Sequence, residues 1–130
     1  MNPFDDKHIA EQSFAFLDLT GQDKWNTDWT VSYSFATATS LTVVGRYKVV
    51  GRMCFAQVKS TGTSLATTAG ASSITLPITA NGFGGSGTMQ NLTTNVAVGV
   101  GVIDVTNSKF MPPTQGASAN DFGFSFWWEI

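Results

Sequence analysis

From Trp29 onward the chain alternates between apolar and polar positions. Val31, Tyr33 and Phe35 are apolar, and Thr30, Ser32 and Ser34 between them are polar. A period of two sends successive side chains to opposite faces, so this stretch reads as a half-buried strand. Residues 40–44 form a second short β run closed by Gly45, and residues 47–50 a third closed by Gly51. Residues 53–59 predict a stronger strand, with Cys54, Ala56 and Val58 opposite Met53, Phe55 and Gln57. Residues 60–72 are rich in Ser, Thr, Gly and Ala and read as a loop. Ile74, Leu76 and Ile78 then alternate with Ser73, Thr75 and Pro77. Pro77 cannot donate to a ladder, so that strand lies at an edge or ends there.

Residues 81–87 are a glycine-rich loop around Phe83. Residues 88–93 and 96–105 predict the next strands. In the second of these, Val96, Val98, Val100 and Val102 mark one face and Ala97, Gly99 and Gly101 the other. Thr106-Asn107-Ser108 is a turn, Pro112-Pro113 breaks the short run 109–111, and residues 114–120 read as a polar loop. The last strand is the most emphatic. Phe122, Phe124, Phe126, Trp128 and Ile130 share one face, opposite Gly123, Ser125, Trp127 and Glu129. Burying each Phe or Trp contributes about 1.5–3 kcal/mol. A strand this apolar belongs in the middle of a sheet, and Gly99 and Gly101 are expected to make room for the Trp127 ring. About eight short strands, with turn signals every eight to twelve residues and no repeating helix between them, predict an all-β antiparallel sandwich, jelly-roll-like, over residues 25–130.

Residues 1–24 differ in character. They carry Asp5, Asp6, Glu11, Asp18 and Asp23 against Lys7 and Lys24, net −3, while the remainder is net +1. Phe4, Ile9, Phe14 and Phe16 fit neither the helical nor the strand period and need a surface to cover, so this segment reads as an N-terminal anchoring arm.

Composition narrows the function. The chain has 130 residues, enough for one domain, and 42% are hydrophobic, so a core is within reach. Charged residues are only 12%, about half the usual share, which points to surface buried against other chains. Arg46, Lys48 and Arg52 make no basic block of the kind that nucleic-acid binding by counterion release requires, so no nucleic acid is expected. The longest apolar runs fall short of a membrane span, and the acidic N-terminal residues do not read as a signal peptide. A cytoplasm-made, soluble protein is the expectation. Cys54 is the one cysteine, and inside an apolar run it reads as a buried small hydrophobe.

No catalytic set or cofactor is expected. His8 is the only histidine and lies on the arm, away from any nucleophile on the scaffold. One Cys and one His do not supply a zinc site. Among the carboxylates, Asp104 before the Thr-Asn-Ser turn reads as a turn-capping acceptor, and Asp121 has a turn role at a strand start. The glycine-rich run 82–87 lacks the Lys-Ser/Thr ending of a phosphate loop. Phe83 and Trp127 are candidates to stack on sugars, whereas Trp25 and Trp29 are expected to pack.

The run Gly45-Arg46-Tyr47-Lys48-Val49-Val50-Gly51-Arg52-Met53-Cys54-Phe55 resembles a Gly-Arg-Tyr strand pair of tailed-bacteriophage virion proteins. So do the preceding Trp29-Thr30, the Ser73-Ile74-Thr75-Leu76-Pro77 strand and the closing Trp127-Trp128-Glu129-Ile130. The resemblance spans residues 25–130. It implies a jelly-roll-like head, typically trimeric, on a phage capsid or fibre, and no catalytic residues. Fibre proteins carry long shafts ahead of such a head. The short arm here favours a capsid decoration (cement) protein or head spike, docked by residues 1–24 on other virion proteins. The alternative is a tail-fibre or baseplate head that binds a host surface glycan or receptor through Phe83 and the loops 60–72, 81–87 and 112–120. A glycan-acting enzyme is the third reading. Self-association is assigned to Gly99, Gly101, Trp127 and Trp128. The place of such a protein is the virion, after synthesis in the host bacterial cytoplasm.

Overall fold

The structure is a computed structural model and describes residues 24–130. The arm, with Phe4, Ile9, Phe14 and Phe16, lies outside the described residues, save Lys24.

The described residues form an antiparallel all-β sandwich. Its twelve strands are β1 (Asn26–Trp29), β2 (Tyr33–Ser34), β3 (Thr37–Thr39), β4 (Thr42–Val50), β5 (Met53–Thr61), β6 (Ser64–Thr67), β7 (Ser73–Thr75), β8 (Gly85–Asn91), β9 (Val96–Asp104), β10 (Lys109–Met111), β11 (Gln115–Ser118) and β12 (Phe122–Glu129). Nine of them form one sheet in the order β1-β4-β5-β12-β8-β9-β10-β7-β2, and the other three a small sheet, β11-β6-β3.

One connection fixes the shape of the large sheet. β1 and β2 are its two edge strands, yet only residues 30–32 separate them in the chain. Four residues from Trp29 to Tyr33 reach at most about 14 Å, so the sheet curls until its edges nearly meet. The Thr75 N–H donates to Ser32 O at 2.8 Å beside this crossing.

The core fills the inside of the curl. β12 pairs with β5 on one side and β8 on the other, so its ladder is filled as the sequence predicts. Its alternation is equally clear: Phe122, Phe124, Phe126 and Trp128 are buried, while Ser125 and Trp127 face out. The Trp128 indole N–H donates to Ile78 O at 2.9 Å, which satisfies the one polar atom that burial of this ring would otherwise strand. Phe110 and Phe126 stack at 4.4 Å between centroids, 4° from parallel.

Glycines shape that interior, in ways that correct the sequence reading. Gly87 and Gly101 are opposite one another across the β8–β9 ladder. A Cβ on either would run into the Phe110 ring. The room they leave is therefore for the Phe110–Phe126 stack, not for Trp127. Gly45 does not close a strand. It sits inside the nine-residue β4, where a Cβ would lie 2.7 Å from the Trp29 ring, so its missing side chain lets Trp29 pack across β4. Gly51, with φ of 61°, does make the expected turn: with Arg52 it forms the two-residue link between β4 and β5.

Two expected loops contain strands. Within residues 60–72, β6 buries Leu65 and Thr67, and within residues 114–120, β11 pairs with it. Apart from Leu65 these strands are built from Ser, Thr, Ala, Gly and Gln, so composition hides them. The glycine-rich loop is also shorter than predicted, since Gly85 and Gly87 belong to β8.

Candidate binding face

The outer face of the large sheet is built from cross-strand rows. One row runs Lys48–Phe55–Trp127–Ser86–Val102 across β4, β5, β12, β8 and β9. The next runs Arg46–Gln57–Ser125–Thr88–Val100, and the third Val44–Lys59–Gly123–Gln90. The central strand offers Gly123 and Ser125 to this face, and taller side chains flank them. The result is a groove of about 540 Å³ whose lining includes Arg46, Gln57, Lys59, Thr88, Gln90 and Leu92. A second depression of about 480 Å³ continues from it past Gln57, Thr88 and Ser125 to Trp25, Phe55 and Trp127.

Apolar side chains stand open beside these depressions. Trp127 is 42% exposed, Phe55 36%, Val100 67% and Val102 60%. Four such side chains within two adjacent rows are a patch rather than scattered surface residues. The valine face of β9 that the sequence marks as apolar thus points outward at Val96, Val100 and Val102. Gly101 and Ile103 face the core. A register shift opposite Met89 and Gln90 interrupts the alternation, and Val98 packs against the core.

The charged groups on this face are positioned. Arg46 donates to Gln57 Oε1 through Nε at 3.0 Å and Nη2 at 2.7 Å, and its guanidinium lies 4.5 Å from the Trp25 ring centroid. Lys48 Nζ lies 5.1 Å from the same ring. Trp25 is therefore a platform for two cations, and packing is its role, as it is for Trp29 against Tyr47. Among the described residues that line the two depressions there are three cations, Arg46, Lys48 and Lys59, and no carboxylate. Glu129 stands beyond Trp127, at the end of β12.

Of the residues assigned to self-association, only Trp127 lies on this face. Trp128 is fully buried, Gly101 is buried against Phe110, and Gly99 faces Pro113. Trp128 and Gly101 serve packing within the chain, because the inward alternation of β12 and β9 takes them to the core, while Gly99 is half-buried against Pro113. Phe83 is 84% exposed, on a loop between Gly82 and Gly84, both at positive φ, where its N–H donates to Asn81 Oδ1. It is apart from the groove. Gln57 and Val100 were legible only through alternation, as outward positions, and no motif flags them; Arg46 falls in the Gly-Arg-Tyr run, which gives it no binding role.

Two described titratable groups, Cys54 and Asp104, serve the fold. Cys54 is fully buried, and burial pushes its thiol up to about 12. Asp104 accepts from the Asn107 side chain, the Asn107 N–H and the Thr106 N–H, which hold its carboxyl below the usual range. It caps the β9–β10 turn as expected, and Asn91 does the same between β8 and β9. Among the described residues, no three His, Cys, Asp or Glu side chains converge on a metal-sized site, and no helix is long and apolar enough to cross a membrane.

Comparisons with protein-family models, curated proteins and solved structures return no match for this chain.

Proposed function

We propose that the chain is a virion structural subunit of a tailed bacteriophage that works by assembly and not by catalysis. In this reading the sandwich is a head that meets its neighbours through the outer face of the large sheet. Residues 1–24 are its docking arm, a homotrimer is its assembled form, and the capsid is its place. The observation that carries the assembly role is the row Phe55–Trp127–Ser86–Val102, an apolar strip left open on a chain with few charges. The phage assignment rests on the resemblance of residues 45–55 and 127–130. The test is imaging of particles that carry the full chain or a chain lacking residues 1–24. The expected result is density for the full chain on the capsid and none for the deletion. Incorporation of the deleted chain, or absence of the full chain from particles, overturns the reading.

One observation favours a second reading, a receptor-binding tail head. The groove presents Arg46, already oriented by Gln57, beside Lys59, Gln90 and Thr88, a set suited to sugar hydroxyls or anionic groups. Saturable binding of purified protein to host surface glycans, lost on Arg46→Ala, selects it.

A further inference from the structure

We infer that the groove on the outer face receives residues 1–23 of a second copy of this chain. The inference rests on the assembly reading above and names the partner of the arm.

Charge gives the first argument. Residues 1–23 hold Asp5, Asp6, Glu11, Asp18 and Asp23 against Lys7, net −4 with His8 neutral. The two depressions hold Arg46, Lys48 and Lys59 and no carboxylate among their described lining residues. The described residues as a whole are more balanced, with six basic and four acidic side chains, so the concentration of positive charge is local to this face. Opposite charges of this kind set register and suppress wrong partners more than they add affinity.

Apolar complementarity is the second. Phe4, Ile9, Phe14 and Phe16 require cover, and the face offers Phe55, Trp127 and Val100 open beside a trough floored by Gly123 and Ser125.

Direction argues for a neighbour rather than the same copy. β1 runs antiparallel to β4, with Trp29 opposite Gly45 and Asn26 opposite Tyr47. Followed back towards Lys24, the chain heads for the Gly51 turn, away from the groove at the level of residues 44–46. Thr27 and Trp25 line the rim of the two depressions, so entering its own groove at residues 44–46 requires the arm to turn back past them. Twenty-three residues span at most roughly 80 Å, ample to cross to an adjacent copy.

The test places p-benzoylphenylalanine at Phe14, and separately at Phe16, in the full-length purified protein and irradiates it. The expected products are covalent dimers, with the adduct on β5, β12 or β8. Their yield falls about fivefold or more in 1 M salt and in the double variant Arg46→Glu, Lys59→Glu, whose circular dichroism stays that of the parent. Adducts within a single chain, adducts elsewhere on the sandwich, or no adduct at either position overturn the inference. The assay contains no particles. Dimer adducts from a protein absent from virions would sink the phage reading alone. Incorporation into virions without adducts would sink this one alone.

Discussion

Cys54 shows how far a residue's environment decides its chemistry. Its neighbours on β5, Ala56 and Val58, are buried with it, and the thiol is pushed from an ordinary 9.0 up to about 12 by desolvation. Thiolate, not thiol, is the reactive form, so a thiol reagent at pH 8 should leave the folded protein unlabelled and label it fully in denaturant. The pH dependence follows from the direction of the shift. A folded pKa above the unfolded one contributes stability that is complete below about pH 9 and lost as pH rises towards 12. Denaturant unfolding of the parent and of Cys54→Ala should therefore differ by a constant up to pH 9, with the parent losing ground above it. Rapid native labelling, or a difference flat to pH 11, would show that the thiol is not desolvated. The burial of Cys54 was readable from its alternation with Met53 and Phe55. The depth of its burial was not, because that depends on β4 and β12 covering it from both sides.

At the scale of the element, β12 separates two tryptophans that sequence alone treats alike. Trp128 is enclosed and its indole is hydrogen-bonded to Ile78, while Trp127 stands on the outer face. Trp128→Ala should cost about 3–5 kcal/mol, since it leaves a large cavity and an unpaired Ile78 carbonyl. Trp127→Ala should cost no more than about 1.5 kcal/mol, because much of that ring is already in water. Urea unfolding midpoints at a common slope measure both, and equal losses would refute the facing of β12. The strong apolar strands were legible because their period is two and their side chains are large. β6 and β11 were not. In Ser64-Leu65-Ala66-Thr67 a single large apolar side chain is all that distinguishes a strand from a loop, and Thr67 is buried through a hydrogen bond to Pro113 O at 2.6 Å that no local pattern announces. The same limit explains Gly45, whose meaning lies in the ring of Trp29 packed across it. The candidate binding face was half legible. Its apolar members, Phe55, Trp127 and Val100, were visible as outward positions, but their assembly into one patch depends on the order of strands distant in sequence.

The whole molecule depends on that order. In the large sheet, β1, β4 and β5 lie on one side of β12, and β8, β9, β10, β7 and β2 on the other. Within this sheet, β12 alone is hydrogen-bonded to both groups. It also supplies four of the largest buried side chains to the shared core: Phe122, Phe124, Phe126 and Trp128. The early strands cannot compensate. β1 and β2 are held at opposite edges by residues 30–32, and that closure only becomes geometrically possible once the sheet between them is complete. Removing residues 122–130 thus takes away the join and much of the core together. Several losses of about 3–5 kcal/mol each would exceed the 5–15 kcal/mol that a domain has in total. A chain ending at Asp121 should show no near-ultraviolet circular dichroism and no cooperative thermal transition. If it keeps both, the two halves of the sheet hold together without β12, and the account of the fold as one cooperative unit closed by its last described strand is wrong.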